Sequence, residues 1–220
     1  MLSYDFVAPI LLSLQVSLIA SVIVFVLALL AAQAMRRARF PGKTAVETLL
    51  MLPLVLPPTV VGFVLLVALG RRSWIGQAYE WLIGQPIVFS WVAACLAAVV
   101  VAFPLVYRTI RTGLEEVDRE LEDAAKLCGA GAWQVFRHVT APLARRSLLT
   151  GYMLGFARSL GEFGATLMVA GNIPHRTQTI PAAIYLAVDA GRMDLAWAWA
   201  GVTVMISFLL LLAVNWPSRR

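Results

Sequence analysis

Two histidines and two cysteines are all that the 220 residues supply for metal or thiol chemistry. His138 and His175 stand apart in loop-like segments. Cys95 and Cys128 fall in an apolar run and a loop without metal-type spacing, so neither a metal site nor a disulfide framework is indicated. No serine, histidine and acid arrangement suggests nucleophilic catalysis. Charge is scarce as well: 14% of residues are charged against 60% hydrophobic, and the mean hydropathy of +0.81 excludes an ordinary soluble domain. A phosphate-binding loop is missing too. The stretch "FPGKTA" ends like one at Gly42, Lys43 and Thr44, but the pattern needs a preceding strand and a glycine five residues earlier, where Arg37 stands. The chain therefore binds no ATP by this route, and an energy source has to come from a partner. No segment recurs, which removes support for an inverted-repeat carrier.

What is present is a series of apolar runs that reach the roughly 20 residues a helix needs to cross a bilayer, without the period-two alternation of a membrane barrel. They predict an all-α, polytopic membrane protein with five spans: Pro9 to Met35, Val46 to Leu69, Ile87 to Tyr107, Leu148 to Ala170 and Leu195 to Trp216. The first run has no basic leader and is too long for a cleaved signal, so it counts as a retained span. Basic residues collect in "RRARFPGK", in Arg108 to Arg146 and in the tail "PSRR", whereas Gly70 to Pro86 and Gly171 to Asp194 carry two each. By the positive-inside rule the N-terminus lies outside and the C-terminus inside. The net charge of +6 follows from this topology and gives no reason to invoke nucleic acid. Trp74, Tyr79, Trp81 and Trp91 gather around the first external segment as headgroup anchors, and Ile180 to Gly191 predicts an interfacial or re-entrant helix.

Three features bear on mechanism. Pro53, Pro57 and Pro58 interrupt the second span, which has to kink or break there, either as static packing or as a hinge or pore wall. Residues 113–146 form the largest polar segment, within a single domain covering 1–220. In it Leu114, Val117, Leu121, Ala124, Ala125 and Cys128 recur at helical spacing opposite a run of acids that includes Glu122. Gly129 and Gly131 then make an elbow before a second short helix, with Trp133, Phe136 and Val139 on one face and Pro142 at its end. Such a knob suits docking on a cytoplasmic partner or interfacial packing. The third feature is the pair Arg158 and Glu162 inside the fourth span, where an unpaired charge costs at least ~3 kcal/mol. On a helical wheel Met153, Phe156, Leu160, Phe163 and Leu167 form a lipid-facing stripe, and Gly151, Gly155, Arg158, Glu162 and Thr166 lie opposite. The glycines allow close helix approach. Spacing of four lets Arg158 and Glu162 pair within the helix, as a packing brace or as a path-lining site.

"DAAKLCGAGAWQVFRHVTAP" resembles the cytoplasmic signature of ABC-importer permeases, an acid and two alanines followed at fixed spacing by glycine, a branched residue and proline. Asp123, Ala124, Ala125, Gly129, Val139 and Pro142 fall at matching positions; Asp123 replaces the usual glutamate and Ala141 the usual leucine. The resemblance implies that Ala130 to Val139, including Gly131, Trp133 and Phe136, forms a coupling helix that enters a cleft on an ATPase subunit. "LPLVLPPTVVGFVLLVALGRRSWIG" and "ARSLGEFGATLMVAGNIPHRTQTIPAAIY" are similar to the permease subunits of molybdate transporters, and less so to those of sulfate transporters. That resemblance implies a type I ABC importer permease fold in a bacterial inner membrane. It also implies a homodimer with the path between its copies, two ATPase subunits that hold ATP and magnesium, and an external binding protein delivering molybdate or tungstate. This chain itself would hold no cofactor and no catalytic residue. A self-sufficient channel or carrier, and a membrane scaffold, remain the readings from other classes.

Overall fold

Helix α1 (Leu2–Arg37) runs for 36 residues, and its Val16, Ala20, Val24, Ala28 and Ala32 recur every fourth position on one buried stripe. They pack along α5 (Trp91–Glu115), whose Ala93, Ala94, Ala97, Ala98 and Ala102 are buried in turn. Small residues on both sides let the two backbones approach closely, which is how helices associate where lipid supplies no hydrophobic drive. The opposite side of α1 leaves Leu11, Leu18, Val22 and Leu30 exposed. The computed structural model describes residues 2–215, and among these no strand occurs.

The second expected span is two helices, α2 (Lys43–Val55) and α3 (Pro58–Leu69), bent by 112°. Leu56 is extended, the conformation that a following proline imposes, and Pro58 opens α3 where a missing N–H costs nothing. Pro53 stays inside α2. The break therefore belongs to Pro57 and Pro58. A short helix, α4 (Trp74–Ile83), then occupies what the composition suggested was an external loop; its signals were the Ser73 hydroxyl, which accepts from Gly76 N–H, and Gly84 in the left-handed region at its end. Trp74 and Trp81 on it are exposed.

Helix α5 reaches Glu115, so Leu114 ends the third span and does not begin the cytoplasmic helix, as its spacing suggested. That helix is α6 (Arg119–Leu127), started by the Asp118 carboxylate accepting from Glu120 N–H. After it come α7 (Ala132–Val135), a π turn (Phe136–Thr140) that contains His138, and α8 (Ala141–Leu143). Pro142 sits at the start of α8, and the chain turns at Ala144.

The fourth expected span is also broken, into α9 (Arg145–Leu160) and α10 (Gly164–Ala170). The lipid-facing stripe assigned to it is wrong in part. Phe156 and Leu160 are buried, because α9 packs on both α5 and α1 and so has no single outward side. Two last helices, α11 (Ile180–Asp189) and α12 (Met193–Asn215), pack on each other; Ser13 Oγ accepts from Ile180 N–H at 2.7 Å and Trp199 donates to the Phe6 carbonyl at 3.0 Å, tying both to α1. Among the described residues three unbroken helices (Asp5–Arg37, Trp91–Glu115 and Met193–Leu212) are long and apolar enough to cross a bilayer, and the bent α2 and α3 pair adds a fourth candidate. The end of the fifth run at Trp216 and the basic tail lie outside the described residues.

Helices α3 and α10 meet at Gly62. A Cβ there would lie 2.7 Å from Met168 Cβ and 2.8 Å from Ala165 Cα. Gly62→Val is therefore expected to cost about 1–3 kcal/mol through overpacking, read as a lower thermal midpoint in detergent. Gly201→Ala, with nothing within 4 Å of the added atom, is the control and should hold or slightly raise it. An unchanged midpoint for the valine variant would show that the α3 and α10 seam is slack.

Candidate functional site

Glu162 occupies the break between α9 and α10. Its Oε2 accepts from Arg158 Nη1 at 2.7 Å, and its Oε1 accepts from the Ala165 N–H at 2.9 Å. One carboxylate thus neutralises a cation and satisfies a backbone donor that the break exposes, at a helix start where negative charge is favoured. The pair expected from spacing forms, but it bridges the end of one helix and the start of another. Glu162 is buried, whereas the Arg158 side chain keeps 31% of its surface, so the arginine is the partner that faces outward.

This break adjoins the proline break. A Cβ on Gly164 would lie 3.1 Å from Pro58 Cβ, so the start of α10 rests on the start of α3. Thr166 is buried one turn into α10, and Ser159, beside Arg158, is buried with its hydroxyl unpaired among the described residues. Ser159 escaped the sequence reading because a lone serine in an apolar run carries no pattern. Gly151 and Gly155 lie away from the break. Their open side is filled by Ile110 and by Val106 and Val24 of the same chain, with an added Cβ at 2.9 Å from Ile110 and from Val106. The glycine seam is thus an internal contact of α9 with α5 and α1.

The cytoplasmic-type loop forms a second cluster. Gly129 holds φ +87° and turns the chain between α6 and α7, while the Gln134 carboxamide oxygen accepts from the Gly131 N–H at 2.8 Å. Trp133 is 67% exposed; Phe136, 5.6 Å from it between ring centres, and Val139 are half-buried. Val135 and Thr140 are the side chains that turn inward. Asp123 and Ala124 are exposed, Ala125 and Ala130 are half-buried, and Pro142 is exposed.

The sequence placed Glu122 on the polar face, yet it is buried. Its Oε1 accepts from Arg36 Nη1 at 2.8 Å and from Thr140 Oγ1 at 2.5 Å, which ties the end of α1, α6 and the π turn to one carboxylate. Burial opposes its charge, but the Thr140 hydroxyl and the Arg36 guanidinium outweigh that and hold its carboxyl below the usual glutamate range. Nothing local in the sequence pairs positions 86 residues apart. Among the described residues no group of three or more histidines, cysteines and acids could hold a metal ion.

A helical bundle with two adjoining helix breaks and a structured loop tied to its first helix has the architecture of a type I ABC importer permease. A bacterial ABC transporter that imports the acidic polysaccharide alginate matches at TM-score 0.78 over 98% of this chain and 79% of that one, at 17% identity. The MetNI methionine ABC transporter in an inward-facing form matches at TM-score 0.75 over 99% and 96%, at 15% identity. At these identities the likeness shows fold alone. The chain belongs to the family described as binding-protein-dependent transport system inner membrane component, whose profile matches residues 7–216. It is a multi-pass inner-membrane transport subunit. Among its relatives are the putative molybdenum transport system permease protein YvgM of Bacillus subtilis, 55% identical over 96% of this chain and 93% of that one, and the molybdenum transport system permease protein ModB of Escherichia coli K12, 44% identical over 96% and 92%. A probable sulfate transport system permease protein of Zygnema circumcarinatum is 35% identical over 90% of this chain and 68% of its own length.

Because the lowered pKa of Glu122 reflects partners present only in the fold, its contribution is full above the ordinary glutamate range and is lost as pH falls through the lower, folded value. Amide exchange over Ala132 to Thr140, taken relative to the intrinsic rate at each pH, should accordingly stay slow from neutral pH into the ordinary glutamate range and accelerate only below it. Glu122→Ala should make it fast at neutral pH, because Arg36 is left without its partner. Equal exchange in wild type and variant would show that the knot does not hold the loop.

Proposed function

We propose that this chain is the transmembrane permease subunit of an importer that moves molybdate, with tungstate as a second cargo, across the cytoplasmic membrane by alternating access. The observation that carries this reading is the 55% and 44% identity, over nearly the whole chain, to relatives named for molybdenum transport. The 35% identity to a sulfate-named relative makes sulfate the second reading. A single permease domain with five spans, counting both broken helices as spans, has its N-terminus outside and its C-terminus inside. Two copies pair around the path, two ATPase subunits holding ATP and magnesium dock on the loops at Ala130 to Val139, and an external binding protein supplies cargo. Without a phosphate loop or catalytic constellation of its own, the chain takes its work from ATP hydrolysis on the partner.

The two breaks form the moving wall in this scheme. Pro57, Pro58 and Gly164 let α3 and α10 shift as a pair while α2 and α9 follow the loop. Arg158, next to Ser159 in the chain and with Thr166 on the helix that Glu162 caps, offers donors to a passing dianion, and Glu162 holds the guanidinium between passages so that the anion is released. The rival role for the pair is a fixed brace at the break.

Arg158→Ala with Glu162→Gln separates these roles, because glutamine removes the charge and keeps an oxygen for the Ala165 N–H. In proteoliposomes with the ATPase and binding protein, this variant should fold and assemble but lose about tenfold of molybdate-stimulated ATP hydrolysis, the scale of one charged hydrogen bond. Wild-type turnover would reduce the pair to a brace. Stronger stimulation of the unaltered assembly by sulfate than by molybdate would overturn the cargo assignment. The orientation has its own test in the exposed thiol Cys128, since Cys95 is buried. With the chain expressed alone, an impermeant maleimide should label Cys128 only after the membrane is opened; labelling of intact spheroplasts would invert the topology.

A further inference from the structure

At the end of α1 the chain forms a cationic notch of about 350 Å³. Arg36, Arg37 and Arg39 line one side of it, and Arg119 and Lys126 of α6 line the other. Two of these charges are matched within the fold, Arg36 by Glu122 at 2.8 Å and Lys126 by Asp123 at 2.6 Å. Arg37, Arg39 and Arg119 are exposed, and none forms an ion pair among the described residues. Glu122 and Asp123 also line the notch, but two acids among five cations leave a surplus of three positive charges, and that surplus on the exposed guanidiniums favours an anion. Their planar forks suit the oxygens of a phosphate better than a point charge would.

The depth of the notch says where that phosphate comes from. Leu27 and Leu30 are the last strongly exposed apolar residues on α1. The apolar run ends at Met35, and from there to Arg37 the helix rises roughly 3 Å, which carries the guanidinium past the hydrocarbon edge into a headgroup layer roughly 5–7 Å deep on each face. Phe40, 43% exposed beside Arg39, adds an apolar side chain at the same margin. The most exposed apolar residues of the loop, Leu127 and Trp133, are not part of the notch lining, so the surface left for a protein partner lies elsewhere. Basic clusters directly beyond a spanning helix, and basic pockets between helices, are the recurring sites for anionic lipid headgroups.

We propose that the notch binds the phosphate of an anionic phospholipid, with Arg37, Arg39 and Arg119 as its ligands. The headgroup then bridges the end of α1 to the start of α6 and reinforces, from the lipid side, the register that Arg36, Glu122 and Thr140 hold from within. Placement in the cytoplasmic leaflet rests on the topology proposed above. The chemistry of the notch does not.

The test uses the permease assembled with its ATPase in nanodiscs holding phosphatidylglycerol and phosphatidylcholine in equal amounts, with bound lipid counted by native mass spectrometry. Wild type should retain phosphatidylglycerol over phosphatidylcholine by about tenfold or more, from three basic contacts at an anionic surface. The triple variant R37Q/R39Q/R119Q should lose that preference, R119Q alone should lose part of it, and the control R145Q/R146Q should keep it. A preference that survives the triple change, or that falls equally in the control, overturns the proposal. So does displacement of the lipid by millimolar inorganic phosphate or molybdate, which would make the ligand a free oxyanion. Selectivity that emerges only after the ATPase is stripped away would make an acidic protein surface the occupant and would equally overturn it. External labelling of Cys128 would refute the topology while leaving the lipid count unaffected, so the two failures cannot be confused.

Discussion

Water cannot reach a backbone amide halfway across a bilayer, so a spanning helix that breaks has to bring its own hydrogen-bond partners to the break. Glu162 meets that requirement at the α9 and α10 junction. Its two oxygens are divided between the Ala165 N–H and the Arg158 guanidinium, and the charge left over after the amide is satisfied is the charge the arginine needs. The α2 and α3 junction solves the same problem by subtraction, because Pro57 and Pro58 have no N–H to leave unpaired. One break is held by a carboxylate and the other by missing donors, and Gly164 against Pro58 places them side by side.

This pairing has a mechanical consequence. Gly62 and Gly164 leave no room for side chains between α3 and α10, so these half-helices move together if they move at all. The long helices around them, α1 and α5, are locked by interleaved alanines and have no comparable freedom. At the other end of the molecule the Glu122 carboxylate joins α1 to the loop, so a push on the loop is delivered to the rigid helix as well as to α9, which begins two residues after Leu143.

Much of this was legible in the residues. Apolar runs located α1, α5 and α12, paired prolines located the first break, and the spacing of Arg158 and Glu162 foretold their contact. The second break was not legible, because "SLGEFGA" has no proline and its two glycines, Gly161 and Gly164, are of a kind tolerated in a spanning helix; only the carboxylate's capture of the Ala165 N–H reveals it. Glu122 was missed for a different reason. Helical spacing assigns a glutamate among acids to the wet face, and only the tertiary approach of Arg36 and Thr140 makes its burial affordable. Helix α4 was hidden by its aromatics, which suggested anchoring and drew attention away from the cap at Ser73.

The two buried carboxylates differ in a way that bears on what each can do. Glu122 accepts from two side chains on separate elements, and its arginine is as buried as it is, with 5% of the side-chain surface left to Arg36 and 8% to Glu122. Breaking that contact would strand both charges, which suits a fixed joint. Glu162 is buried at 2%, but its arginine keeps 31% of its surface, so the guanidinium can turn toward an anion while the carboxylate stays on the Ala165 N–H. An exchange of partners at Arg158 strands one charge at most, and an incoming dianion would compensate the guanidinium as it turns. The asymmetry in burial therefore separates a contact buried on both sides from one whose cation keeps access to an incoming anion, and the second of these stands where the two helix breaks meet.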